Sequence, residues 1–500
     1  MSGRSQRLLK ETLIYGLGGA GRKFLSFLLF PLYSRIFSIG DYGAIETTYT
    51  FALIASLLLT SGTDLAQSYY FFEYSQADER KKTISSLGIY ILLSNILVAI
   101  LINIFAKDIS QILLGNHEYE YLIQIISFAI PWMGLYTFNL NLFRLLRKPK
   151  QYILITIPFI VLQILLNLLL VVVFRIGMNG IFIADILCYA ISTIIALIMN
   201  RHYFSLHLDV HRFKEMFSYW MPLLPVGISA WFLTSSDRVF LSTFSSLEST
   251  GIYSAGIRIA SIVGFFIQAF RTANLPFLFE VSKDADAKTV YKKTLSFYYY
   301  FITIIVLFTS LFARPLLLLM SGEQYLDAIP IIPVLAFVFV LQGTTQIVSS
   351  GAMITKNTKY VGLITALSAI MLGNGFIYII PRFHELGAAW WVLFVHIVYN
   401  SLLLLNSQST YPISYEYGRL ARINLAAVLI ISLKFSIPTT SIVWDLTTGV
   451  ILCILFTILT PLLSLLTRTE ISSLKKQIQL FLGRILTRKS HDHETVFPDS

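Results

Sequence analysis

The stretch YGLGGAGRKFLSF, Tyr15–Phe27, holds a Gly-x-Gly-x-x-Gly in Gly16, Gly18 and Gly21, followed at once by Arg22 and Lys23. In a soluble βαβ unit such glycines cradle the phosphates of a dinucleotide, but that needs a strand before them and a solvated helix after. Here they lie inside an apolar run long enough to span a bilayer, where glycine permits close helix contact or a local bend. The motif therefore reads as a packing surface of a transmembrane helix. The two cations within it are what need a reason.

The whole chain has the same character. Of its 500 residues, 56% are hydrophobic and 13% charged, and its mean hydropathy of +0.71 lies outside globular usage. Runs of about 20 apolar residues, enough to cross a hydrocarbon core of about 30 Å, fall near 12–34, 43–66, 84–106, 121–143, 152–174, 177–199, 217–241, 250–275, 294–313, 329–350, 360–380, 386–405, 421–437 and 441–466. The run at 421–437 is short and carries Lys434 near its end. The sequence thus predicts an all-α polytopic membrane protein of about 14 transmembrane helices. No compact apolar core with a small-residue cleavage site opens the chain, which speaks against a cleaved signal peptide. Cys188 and Cys453 both fall inside predicted spans and supply no disulfide framework.

The net charge of +11 is spread over many short loops, not gathered on one face, which argues against a nucleic-acid partner. It follows topology instead. With the amino terminus in the cytoplasm, inner segments carry clusters such as Arg80-Lys81-Lys82 and Arg144, Arg147, Lys148 and Lys150. Outer loops carry only Arg35, Lys107, Arg175, Arg314 and Arg382. This alternation is what the positive-inside rule gives for an even number of spans with both termini cytoplasmic. The basic tail ISSLKKQIQLFLGRILTRK, 471–489, either fixes topology or lies as a helix on the anionic inner leaflet.

An internal echo divides the chain. Lys10-Glu11-x-x-x-Tyr15 opens the first span and Lys214-Glu215-x-x-x-Tyr219 the seventh, 204 residues apart between Lys10 and Lys214. DYGAIE places Gly43 at the start of span two, and TGIYSAG places Gly251 at the start of span eight, 208 residues on. Two six-span lobes in parallel orientation follow, an arrangement known from transporters with a cavity between repeats. The expected divisions are 1–208 for the first lobe, 209–408 for the second, and 409–500 for two further spans and the tail.

Charges inside spans mark function, because each costs roughly 2.5–3.5 kcal/mol on the insertion scale and faces a watery cavity or a partner. Tyr15, Gly18, Arg22, Ser26, Leu29 and Tyr33 form one helical stripe, polar or small for the most part, which points Arg22 at a cavity. Lys23 lies about 100° around the helix and reaches either the cavity edge or an acid of the next span, Glu46 or Asp64. Asp237 and Arg238 either neutralise one another or a neighbour, or belong to the site. Arg258 lies deeper, without an acid near it in sequence, and is assigned to the cavity. Arg271 is expected to snorkel to the inner interface. Asp185 either couples transport to a cation, Na+ or H+, or balances Arg22. His396 reads as a hydrogen-bonded core residue, and Asn139, Asn141, Asn167, Asn374 and Asn400 as helix glue or sugar contacts. No phosphate loop, His/Cys metal set or Gly-x-Ser-x-Gly elbow occurs, so no metal, cofactor or catalytic nucleophile is assigned. A transporter is expected and not an enzyme, with an anionic solute, since guanidinium groups suit phosphate oxygens.

Two segments carry a family resemblance: FLLFPLYSRIFSIGDYGAIE, Phe27–Glu46, and above all DRVFLSTFSSLESTGIYSAGIRIA, Asp237–Ala260. The second, together with the span plan over most of the chain, resembles the polysaccharide-transporter branch of the multidrug, oligosaccharidyl-lipid and polysaccharide exporter superfamily. That branch includes bacterial flippases for O-antigen and capsule repeat units. The family pattern of an Asp-Arg pair, an apolar stretch, Gly-x-Tyr and a basic residue falls on Asp237, Arg238, Gly251, Tyr253 and Arg258. The resemblance implies alternating access in the bacterial inner membrane and transfer of a polyprenyl-diphosphate-linked oligosaccharide for O-antigen (lipopolysaccharide), capsule or exopolysaccharide. It also implies cooperation with other polysaccharide-assembly proteins. In this scheme Arg22 and Arg258, with Lys23 beside them, offer charge to the diphosphate. Two other readings are a multidrug or cation-coupled exporter of the same superfamily, which calls for acids dominating the cavity, and a membrane-embedded polymerase or glycosyltransferase, which calls for a large outer loop.

Overall fold

The computed structural model describes residues 15, 21, 24–74, 76–205, 209–282, 284–355, 359–438 and 441–466, and these form helices and no strand. Without a strand the βαβ setting of a dinucleotide fingerprint is missing among the described residues. Gly21, the described glycine of that motif, lies so close to the helix at Pro149–Asn167 that a Cβ would come 2.6 Å from Ile160 Cδ1. It acts as a packing contact.

Among the described residues ten helices are long and apolar enough to cross a membrane. Four places separate that number from the fourteen expected. The first helix, α1, is described over Phe24–Ile36. The second, α2 (Ile39–Leu57), is 19 residues long but diluted by Asp41, Glu46 and a run of threonines. Near the carboxyl end, a helix at Tyr417–Ser436 carries Arg419, Arg422 and Lys434. Lastly, the 52 residues Lys359–Thr410 run as one element in which His384 breaks helical geometry at φ 48° and ψ −137°. Proline at 381 removes a backbone donor just before that break.

The helices that frame the interior continue with α3 (Ile130–Leu145), α4 (Pro149–Asn167), α5 (Met178–Asn200), α6 (Leu224–Ser235), α7 (Asp237–Phe244) and α8 (Leu247–Val281). Apolar packing divides into three clusters. One runs from Leu233 to Leu466, a second joins α1 to α5 with the start of α8 and residues 313–332, and a third gathers residues 66–220 around Trp220.

The backbones of α2 and α8 come into direct contact near their amino-terminal ends. Each helix opens on a serine cap: Ser38 Oγ accepts from Asp41 N and Ser246 Oγ from Ser249 N, the same 208 residues apart as Gly43 and Gly251. These caps satisfy amides that the first helical turn leaves unpaired. One turn on, a Cβ on Gly43 would sit 1.9 Å from the Leu247 carbonyl oxygen, and a Cβ on Gly251 would sit 2.2 Å from that of Ile39. The contact is reciprocal, since Ile39 and Leu247 are themselves 208 apart. The echo in the sequence meets itself across a local two-fold, backbone against backbone, which only glycine allows.

Candidate functional site

Below that crossing residues of α1 to α8 line a cavity of about 290 Å³. The stripe of α1 faces it through Ser26, Leu29 and Tyr33. Arg22 and Lys23, assigned to the same cavity from the sequence, lie outside the described residues.

Three charged side chains form one wall. Arg258 Nη2 donates to Glu46 Oε1, and its Nε donates to the Tyr42 hydroxyl at 3.3 Å. Arg238 Nε lies 3.6 Å from the other Glu46 oxygen, too far for a good hydrogen bond. Arg238 Nε is buried with no hydrogen-bond partner among the described residues. Glu46 is 5% exposed, and the two arginines are 14% and 17% exposed. One carboxylate between two guanidinium groups leaves this wall with a net positive charge in a setting of low dielectric, where charge acts strongly.

This geometry supplies the partners that two sequence readings left open. Arg258 does have an acidic partner, 212 residues away, because the α2–α8 crossing brings Glu46 beneath it. Asp237 and Arg238 do not neutralise each other through their side chains. Asp237 Oδ2 accepts from the Tyr253 hydroxyl at 2.9 Å and Oδ1 from the Arg238 backbone amide, which leaves the guanidinium free to turn to Glu46. Tyr253 and Asp237 thus tie α7 to α8 and aim Arg238, while Gly251 admits α2. Glu46, weighed in the sequence only as a partner for Lys23, already has both oxygens facing arginines.

The opposite wall is acidic and aromatic. Asp185 on α5 is 5% exposed and its Oδ1 accepts from Gln163 Nε2 on α4. Asp185 Oδ2 and Gln163 Oε1 have no hydrogen-bond partner among the described residues. Tyr49 and Tyr189 line the same space, and the Tyr33 hydroxyl donates to Asn167 Oδ1 at 2.7 Å. A larger cavity of about 600 Å³ adjoins this one through Leu53, Met133 and Tyr189 and runs on to Asp64, Gln67 and Asn141. Its lining is mostly uncharged, so the chemistry concentrates in the smaller space.

Other polar residues serve packing. Asn200 donates to Asn139 at 3.0 Å between α5 and α3, and Thr345 donates to Asn400 at 3.2 Å. His396 is buried, with Nδ1 2.9 Å from the Val392 carbonyl. Asn141 donates to Gln67 at 2.8 Å on the wall of the larger cavity. Among the described residues no group of three or more His, Cys, Asp and Glu could hold a metal ion.

Comparison with known proteins agrees with this architecture. Residues 8–282 match the family described as polysaccharide biosynthesis protein. An uncharacterized membrane protein of Haemophilus influenzae is 22% identical over 301 residues, 56% of this chain and 67% of its own. The lipid II flippase MurJ in an inward closed conformation superposes with a TM-score of 0.72 at 16% identity, covering 90% of this chain and 99% of that one. A multidrug resistance MATE family transporter of the MOP superfamily, in an inward-facing conformation, superposes with a TM-score of 0.57 at 14% identity, covering 84% and 96%. At such identities the likeness is one of fold.

Proposed function

The chain belongs to the polysaccharide biosynthesis protein family, and from that premise we propose that it is a flippase of the MOP superfamily that moves a polyprenyl-diphosphate-linked oligosaccharide across the bacterial inner membrane. The observation that carries this reading is the cavity wall on which Arg238 and Arg258 share the single carboxylate of Glu46. A buried wall with two guanidinium groups to one carboxylate attracts phosphate oxygens, which it binds through charge-assisted and often bidentate hydrogen bonds. A transported cation would be repelled by that wall.

In this reading the chain crosses the membrane fourteen times, as two six-helix lobes followed by two helices, with both termini cytoplasmic. The lobes rock about the cavity while the lipid tail stays in the bilayer. Arg22 and Lys23 add charge to the approach, and Tyr33, Tyr49, Tyr189 and Gln163 contact the glycan. Asp185, buried with one oxygen unpartnered among the described residues, is the acid available to bind a coupling Na+ or H+. The product feeds O-antigen, capsule or exopolysaccharide assembly alongside the proteins that polymerise it. Asp185 and the MATE-like fold also favour a second reading, a cation-coupled exporter of small molecules.

Deletion of the gene separates the two. Accumulation of complete lipid-linked repeat units with loss of surface polysaccharide, rescued by the native gene and not by an Arg258→Ala variant that still inserts, is the expected result. Arg258→Lys should rescue in part if charge alone suffices, and little if the bidentate geometry matters. No accumulation, together with altered sensitivity to toxic compounds, would overturn the flippase reading in favour of the exporter.

A further inference from the structure

We propose that Glu46 is an internal counter-anion that fills the anion site when no substrate is bound and thereby latches α2 to α7 and α8. A diphosphate arriving on Arg238 and Arg258 displaces it and frees the crossing. This rests on the flippase reading, because it takes that wall as the place where the diphosphate binds.

Position is the first ground. Glu46 lies three residues beyond Gly43, and Arg258 seven beyond Gly251, so the ion pairs form one to two turns below the backbone contact of α2 with α8. At the contact itself two glycines meet carbonyl groups, and the side chains beside them, Ile39 and Leu247, are apolar. The polar link next to it comes from Glu46 and Tyr42 on α2, reaching cations on two other helices.

The second ground is an imbalance of partners. Glu46 offers two oxygens to two guanidinium groups, and Arg238 Nε remains buried without a hydrogen bond among the described residues. A diphosphate brings more oxygens and can satisfy both arginines at once. Exchanging one anion for another keeps the guanidinium groups paired, and the released carboxylate escapes the penalty of an unpaired buried charge only by reaching water as α2 parts from α8. Glu46 in turn is a tethered competitor whose effective concentration at the site depends on α2 staying docked. Binding and opening of this end of the bundle are thereby coupled through one carboxylate, and Glu46 acts as a positioning residue.

The test uses the full-length protein in lipid nanodiscs, with Cys188 and Cys453 replaced by serine. Spin labels at Ile36→Cys and Phe244→Cys, two exposed positions 208 residues apart that flank the crossing, report the separation of the two sides. Saturating inorganic pyrophosphate should lengthen the distance in the otherwise native protein. Glu46→Gln should show the longer distance without ligand and bind pyrophosphate about tenfold more tightly or better. Tighter binding with no change in distance would mean that Glu46 only tempers the local charge, and would sink the latch. An unmoved distance in the otherwise native protein at saturating pyrophosphate would do the same, even if Glu46→Gln failed to fold. If the native site binds pyrophosphate, Arg258→Ala abolishes binding and Glu46→Gln binds no tighter, the counter-anion is refuted while the flippase reading stands. If neither native protein nor Glu46→Gln binds, both fall. Farnesyl diphosphate binding well ahead of pyrophosphate assigns the anion to a lipid carrier, and equal binding assigns it to a soluble anion.

Discussion

Gly43→Ala gives the sharpest test of how the helices meet. The added methyl would lie 1.9 Å from the Leu247 oxygen, 2.8 Å from its carbonyl carbon and 3.0 Å from Gly251 N, all backbone atoms that cannot rotate away. Ordinary contact begins near 3.4 Å, so α2 and α8 must part by about 1.5 Å (3.4 − 1.9 Å). Overpacking of this kind costs about 1–3 kcal/mol. The same displacement would pull Glu46 away from Arg258, the ion pair that spans α2 and α8, weakening a buried pair whose full loss costs about 3–5 kcal/mol. A combined loss of about 3 kcal/mol or more should lower the temperature at which the detergent-solubilised protein loses its monodisperse peak by about 3–6 °C. Gly256→Ala on the same helix is the control. Its Cβ would meet Ile331 and Leu335 at 3.6 Å and Ala328 at 3.8 Å, all ordinary contacts, while alanine is the better helix former by about 1 kcal/mol. Gly256→Ala should therefore be neutral or stabilising. Equal behaviour of the two variants, or a Gly43→Ala protein as stable as native, would refute the backbone contact.

Removal of Asp445, which is fully buried between Lys434 Nζ at 2.9 Å and Arg314 Nη1 at 2.7 Å, should destabilise the protein by about 3–5 kcal/mol, because Asp445→Ala strands two cations. The paired change Lys434→Met with Asp445→Leu should recover much of that loss in the same thermal assay, since an apolar pair can replace a buried ionic one. Glu416, in the link after Thr410, gives a pH dependence. Burial would raise its carboxyl, but Arg419 at 3.0 Å, Lys292 at 3.2 Å and Ser296 at 3.1 Å outweigh it and hold the group below its ordinary value. A carboxyl depressed in the folded state lends stability above the ordinary range of about 4.3, and that stability is lost as pH falls through the folded value. The thermal difference between native and Glu416→Gln should therefore be full near neutrality and shrink below about pH 4. A difference unchanged by acid would show that the carboxylate plays no such part.

Much of this molecule was legible in its composition. A chain in which 56% of residues are hydrophobic and apolar runs return at bilayer length has only helices with which to cross a membrane, because every backbone polar group must be satisfied within the segment. Periodicity on α1 likewise placed Ser26, Leu29 and Tyr33 on one face, and that face turned out to line the cavity. The family resemblance marked Asp237, Arg238, Gly251, Tyr253 and Arg258 as a set. Their division of labour was hidden, since hydrogen-bond partners follow from which helices touch. Asp237 turned to Tyr253 and left Arg238 for Glu46, and Arg258 found its acid 212 residues away. The sequence held the clue in two glycines 208 residues apart, but as a spacing only. That they press against one another, and so carry Glu46 beneath two arginines, was decided by the packing of whole helices, because long-range side-chain contacts depend on where rigid elements cross and not on the local preferences that a sequence displays.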